Sequence, residues 1–157
     1  MEIIMPIGIS GSGKSRLYKE KYSDYKKVCP DDIRYDLTGD ISDQSRNKDV
    51  FRIADQMIDK YVRSGENVFY DATNLSTKLR KRFTERYRGV DGVKITYVVL
   101  PADVELSHKR IQKDLENQVN RSKVPYEVIQ RQMEMYKECV ESGFEGENVQ
   151  EVIYLDE

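Results

Sequence analysis

The residues Gly8 to Ser15 read GISGSGKS and fit the spacing G-x-x-x-x-G-K-[ST], in which consecutive backbone N–H groups wrap the β- and γ-phosphates of a nucleotide. Gly8, Gly11 and Gly13 let the backbone take positive φ and approach an anion closely. Lys14 supplies a mobile cation, and Ser15 offers a hydroxyl to Mg²⁺. The run Gly11, Ser12, Gly13, Lys14, Ser15 and Arg16 is therefore expected to contact the nucleotide. Two further clusters carry chemistry. In Asp31-Asp32-Ile33-Arg34, the D-x-x-R spacing puts a carboxylate and a guanidinium about one helical turn apart. Asp31 can then accept a hydroxyl proton while Arg34 clamps an acceptor phosphate through its planar fork. Asp32 falls on another face and reads as a charge at a helix N-terminus; a helix start decorated with acids and a surface arginine is the alternative for the whole cluster. The third cluster is Asp71-Ala72-Thr73-Asn74, where Asp71 can order waters on Mg²⁺ or hold the phosphate-loop hydroxyl, or the four residues can simply form a capping turn.

These clusters do chemistry only if the chain brings them to one edge. Glu2 to Ile9 is a short apolar run rich in Ile, and Lys14 to Tyr22 can continue as a helix, so strand, loop and helix arrive in the order a phosphate loop requires. Pro6 cannot donate to a ladder and is expected at the strand's end. Strands are expected at Lys26 to Pro30, at NVFYD before the third cluster, at Val93 to Leu100 and in VQEVIYLDE. Helices are expected from about Asp49 to Arg63, with Phe51, Ala54, Ile58, Tyr61 and Val62 apolar and Gly65 closing it, from Ser76 as cap, from about Ala102, and from Pro125. Apolar runs alternating with helical patterns imply an α/β fold of P-loop NTPase type: a parallel sheet of about five strands, helices on both faces and a helical lid. Ligands of such sheets bind outside the carboxyl ends of the strands, where all three clusters fall.

At 157 residues, 38% hydrophobic and 34% charged, the chain fits one domain, residues 1–157, with a modest core. Its apolar N-terminal run is too short for a signal peptide or membrane span, which points to a cytoplasmic protein without a membrane partner. Cys29 and Cys139 form no C-x-x-C unit and indicate neither disulfides nor zinc. His108, the one histidine, is expected to be a solvated helix residue. A guanine switch is disfavoured because NKDV at Asn47 to Val50 ends in valine where N-K-x-D needs aspartate, and NVFYDATN has no glutamate after its aspartate as a Walker B acidic pair would require. Phosphoryl transfer to an acceptor is the class that remains, with Asp31 and Arg34 as its positive support.

A polar stretch, ENQVNRSKVP, lies between two helical patterns and reads either as a lid of approximately residues 110–125, delivering Arg121, or Lys123 in its place, to the transferring group, or as an ordinary solvated helix connection. Ser76 to Arg88 carries Lys78, Arg80, Lys81, Arg82, Arg86 and Arg88 against Glu85, either an approach path for a polyanion or a solvated face. The net charge of −2 argues against broad nonspecific affinity for nucleic acid. The eleven tyrosines leave open a base-stacking platform.

In order and interval, GISGSGKS, PDDIR, YDATNLS and NRSKVPYEVIQRQMEMY resemble the kinase domain of polynucleotide 5′-hydroxyl kinases, the phage enzymes and the bacterial end-healing kinases, from about Glu2 to Tyr136. The resemblance implies transfer of the γ-phosphate of ATP, or another nucleoside triphosphate, to the 5′-hydroxyl of DNA or RNA with Mg²⁺. It implies Lys14 and Ser15 at the nucleotide and metal, Asp31 as general base, Arg34 on the acceptor's phosphate, Asp71 and Thr73 supporting the site, and Arg121 as a lid arginine. Arg110 is followed by Ile111 where the family usually carries Arg-Asn. The D-x-D-G-T phosphatase motif of larger members does not occur, so any phosphatase or ligase partner is expected to be a separate protein. DDIRYDL also resembles the acceptor segment of adenylylsulfate kinases, which keeps a small-molecule kinase as the alternative, and a nucleotide-dependent binding module is the reading from another class.

Overall fold

A computed structural model describes residues 1–156. Its centre is a five-stranded parallel sheet, β1 (Glu2–Ile7), β2 (Lys26–Val28), β3 (Val68–Tyr70), β4 (Lys94–Val99) and β5 (Glu151–Tyr154), in the order β2-β3-β1-β4-β5. Six helices connect the strands: α1 (Lys14–Lys21), α2 (Pro30–Thr38), α3 (Asn47–Arg63), α4 (Thr77–Arg86), α5 (Val104–Glu116) and α6 (Tyr126–Ser142). This is the P-loop NTPase type of α/β fold. After β3 the chain crosses to the other side of β1 to lay down β4, so β1 stands at the switch point where such sheets hold ligands.

Strand parity divides the core. Ile3, Met5 and Ile7 of β1 point to one face and join Ala54 and Ile58 of α3, Ile111 of α5 and Ile129 of α6, while Ile4 points to the other and meets Leu17 of α1 with Phe69 and Val98. A strand buried on both faces has no polar side to show, which is why β1 and β4 read as continuous apolar runs. Pro6 is tolerated inside this central strand for a local reason. The β1–β3 ladder registers only Ile3 with Val68 and Ile4 with Phe69, so the N–H that proline lacks falls where β3 has already ended. Its carbonyl on that side accepts instead from the Asn74 side chain at 2.8 Å.

Three boundaries, and the exposure of one residue, differ from expectation. Pro30 is the first residue of α2 and not the last of a strand; its fixed φ suits a helix start and its missing N–H has no partner to lose there. α3 opens at Asn47, two residues early, and Phe51 faces out at 40% exposure while Val50, Ala54 and Ile58 form its buried face. α5, capped by Asp103 accepting from the Leu106 N–H, continues to Glu116, so the connection before α6 is residues 117–125 and Arg110 is a helix residue. His108 is half-buried edge-on against Tyr126 instead of solvated. Ser76 caps α4 as expected. Among the described residues no helix is long and apolar enough to cross a membrane.

Candidate active site

The chain leaves β1 at Ile7 and enters α1 at Lys14 through a loop with little room for a Cβ at Gly8 and Gly11. A Cβ on Gly8 would stand 2.5 Å from the Ser12 Oγ, and one on Gly11, at φ 75°, would stand 2.9 Å from the Ser107 carbonyl oxygen. Three neighbours fix the loop's backbone. The Gly8 N–H donates to the Thr73 carbonyl at 3.2 Å, the Ser10 N–H to Gln132 Oε1 at 2.8 Å, and Arg110 donates to the Gly11 carbonyl at 3.2 Å. Lys14 donates to the carbonyls of Ile9 at 2.9 Å and Gly8 at 3.3 Å, which folds its ammonium over the loop. Burial lowers its pKa to about 8; the Arg121 charge pushes the same way, and Asp71 and Asp31 oppose it. Ser12 Oγ is buried without a partner inside this loop. Ser15 and Arg16 lie exposed in the first turn of α1, where Arg16 pairs with Glu20 at 2.8 Å.

Asp31 and Arg34 sit in the first two turns of α2 and meet each other, Arg34 donating to Asp31 Oδ1 at 2.5 Å. The arginine side chain is 5% exposed and the aspartate 50%. Asn47, at the start of α3, accepts from the Nε and the second amino group of Arg34 at 3.2 and 3.1 Å. Three of the five guanidinium N–H groups are thus used within the protein, and two are left for a ligand. Asp32 points elsewhere, toward Lys27 at 3.6 Å.

Asp71 follows β3, and burial raises its carboxyl above the usual range, opposed by the Lys14 and Lys27 charges. The turn behind it is tied down by Asn74. This residue adopts φ 53°, and its amide donates to the carbonyls of Pro6, Ala72 and Tyr70 at 2.8, 3.1 and 3.3 Å. Asp71 and Thr73 therefore flank the phosphate loop, Thr73 through its carbonyl. On the far side, Arg121 pairs with Asp114 at 2.8 Å while its Nε is buried and unpartnered. Residues after it meet the α2–α3 connection: Ser122 donates to the Ile41 carbonyl and the Lys123 N–H to the Ser42 hydroxyl, both at 3.2 Å. Asp31, Asp71 and Arg121 thus come from three other segments into electrostatic reach of Lys14.

Among the described residues no cluster of three or more His, Cys, Asp or Glu forms a metal cage. The oxygen donors present, the Ser15 hydroxyl and the carboxylates of Asp71 and Asp31, suit a cation that keeps most of its waters and takes phosphate oxygens, as Mg²⁺ does. The roles of Asn47, Gln132 and Arg110 were not legible in sequence: all three fall in stretches singled out there, but only the packing of α3, α6 and α5 against the site shows what each one holds.

α4 is less basic than its sequence suggests. Arg80 is buried against Glu147, Arg86 pairs with Asp59 and Asp55, and Arg88 with Glu85. Lys78, Lys81 and Arg82 have no ion pair among the described residues. Of the tyrosines, Tyr70, Tyr87 and Tyr97 belong to the core.

Comparison with known proteins agrees with this architecture. No curated protein matches the chain. A solved structure of the Pnkp1/Rnl/Hen1 RNA repair complex superposes with a TM-score of 0.75 at 23% identity, covering 90% of this chain and 45% of that one. The chain thus spans less than half of that neighbour. Deoxyadenosine kinase from M. mycoides gives a TM-score of 0.59 at 16% identity over 99% of this chain and 90% of its own. A gluconokinase from Sinorhizobium meliloti gives 0.54 at 20% over 99% and 82%. At these identities the fold is what is shared, and it is one found among kinases of nucleosides and sugars as well as in the repair complex. A family model described as an AAA domain matches residues 3–139, most of the sheet and every element of the site, and the chain belongs to that family.

Proposed function

We propose that the chain transfers the γ-phosphate of ATP, or another nucleoside triphosphate, to the 5′-hydroxyl of a DNA or RNA end. The observation that carries the reading is the Asp31 carboxylate, half exposed at the carboxyl edge of the sheet, backed by a buried arginine and in electrostatic reach of the phosphate-loop lysine. A switch has no use for a base aimed at a second substrate. Nucleic acid as the acceptor class rests on the motif resemblance and on the likeness to a structure from an RNA repair complex.

In this mechanism Asp31 accepts the acceptor's hydroxyl proton as that oxygen bonds to the γ-phosphorus and the bond to the β-phosphate oxygen breaks, leaving nucleoside diphosphate. Lys14 and the loop N–H groups hold the β- and γ-phosphates. The unpartnered Nε of Arg121 supplies charge to the transferring group once a phosphate stands before it. Arg34 orients Asp31 through its hydrogen bond, and its two unused N–H groups take the phosphate flanking the attacked hydroxyl. Mg²⁺, held by Ser15 and by waters on Asp71 or Asp31, would neutralise charge on the phosphate oxygens.

A second reading, a small-molecule acceptor, has its own observation. A groove of about 400 Å³ between α2 and α3, on the Asp32 side of α2, has an apolar floor of Ile33, Leu37, Ile53 and Met57, with Asp32 and Lys27 at its rim. Incubation with γ-labelled ATP and a panel of 5′-hydroxyl oligonucleotides, nucleoside 3′-monophosphates, adenylylsulfate, nucleosides and sugars separates the two. Label on oligonucleotides that is lost in Asp31→Asn supports the proposal. Asp31-dependent label on a small metabolite alone replaces it.

A further inference from the structure

We propose that Arg80, on α4, is a positioning residue for the phosphate loop, acting through the Asn74 carbonyl. The inference rests on the reading of that loop as the nucleotide site. Arg80 and Glu147 have side chains 1% exposed, and all five guanidinium N–H groups are matched. Nε and one amino group take Glu147 Oε1 and Oε2 at 2.9 and 3.1 Å, and that amino group also takes Thr77 Oγ1 at 3.1 Å. The other amino group donates to the Asn74 carbonyl at 2.9 Å and to Cys139 Sγ at 3.1 Å. The Tyr97 hydroxyl donates to Glu147 Oε1 at 2.7 Å, and the guanidinium lies 5.2 Å from the Phe144 ring centre.

The network's outlet is the turn. Asn74 stands in the left-handed region, where asparagine is strained less than most side chains, and its amide stitches β1 to the end of β3. One residue earlier, the Thr73 carbonyl receives the first N–H of the phosphate loop. Arg80 therefore fixes the carbonyl that sets the turn, and the turn fixes where Gly8 begins and where Asp71 stands. The same bond also satisfies a buried N–H, so positioning and stability have to be separated by experiment.

Two variants separate positioning from stability. Arg80→Lys keeps a cation for Glu147 but loses the fork that also reaches Asn74. The triple variant Arg80→Met/Glu147→Met/Tyr97→Phe replaces the ion pair and its hydroxyl donor by apolar groups, an exchange that buried pairs often tolerate without loss of stability. The readouts are amide hydrogen exchange, thermal midpoint and affinity for a non-hydrolysable ATP analogue. Both folded variants are expected to exchange the Gly8 amide about tenfold faster while the Thr96 and Val98 amides of β4 are unchanged, and to bind the analogue roughly tenfold more weakly. Wild-type Gly8 protection and wild-type affinity in either folded variant would overturn the inference. Failure of both to fold would overturn it too, since Arg80 would then hold the core and not the turn. If the unaltered protein does not bind the analogue, the nucleotide reading fails while the exchange result still stands on its own.

Discussion

Among the described residues two arginines are buried beside carboxylates, and the way each pair is closed separates chemistry from architecture. Arg80 and Glu147 are both 1% exposed, with every N–H matched. Arg34 is as hidden at 5%, yet its partner Asp31 is 50% exposed and two of its own N–H groups are unused. A sealed pair has no atom left to offer a substrate. A pair sealed on one side presents an exposed carboxylate whose direction is set from behind, which is the geometry a general base needs.

The largest expected effect tests the sealed pair. Arg80→Ala leaves Glu147 buried with only the Tyr97 hydroxyl, and breaking a buried pair this way costs about 3–5 kcal/mol. Arg34→Ala leaves Asp31 facing water and should cost only about 1–2 kcal/mol, the value of its hydrogen bonds. Urea unfolding of the two variants checks the order, and a larger loss at Arg34 would collapse the distinction. Next comes the open pair. Asp31→Asn keeps the shape but removes the proton acceptor, so kcat should fall about 10²-fold or more, whereas Asp32→Asn, turned toward Lys27, should stay within a few-fold. Steady-state rates with equal losses at both would mean that neither is the base. A smaller effect sharpens the role of Arg34. A nucleoside 3′-monophosphate should be preferred over the bare nucleoside, and Arg34→Ala should narrow the ratio of their kcat/KM values by about tenfold. Asn47→Ala, which frees two guanidinium contacts, should narrow it less.

How legible each pair is in sequence follows from the distance along the chain. The phosphate loop, D-x-x-R and the DATN turn are local: each lies within eight residues, and the strand before each puts it on the same edge. Asp31 and Arg34 are three residues apart, so their meeting is written in helix geometry. That they meet each other before any substrate was not written there, because the burial of Arg34 depends on Asn47, thirteen residues on at the start of α3. The Arg80–Glu147 pair spans 67 residues, and nothing near Arg80 in a run of six basic residues marks it as the one that turns inward. Helix ends behaved likewise. The Ser76 cap marks its start in sequence, but α5 overruns the expected lid because Ile111 and Leu115 keep it packed on the core.

The smallest effect concerns the outer face of α4, the counterpart of its sealed arginine. With Arg80, Arg86 and Arg88 committed to Glu147, Asp59 and Glu85, the charge left for a polyanion is Lys78, Lys81 and Arg82, about half of what the sequence offers. Each phosphate contact contributes nearly one unit to the slope of log affinity against log salt concentration. Lys81→Glu/Arg82→Glu should therefore lower that slope by about 2 for long oligonucleotides and weaken their binding. A nucleoside 3′-monophosphate, with one phosphate to offer and Arg34 to take it, should keep its KM within about twofold. Measurements of KM across a salt series distinguish the outcomes. An unchanged slope would make the outer face of α4 ordinary solvated surface and would confine acceptor recognition to the pair at Asp31 and Arg34. A matching loss for the mononucleotide would mean that the substitutions disturb the turn through Arg80, one residue before Lys81, and that the two sides of α4 are not independent.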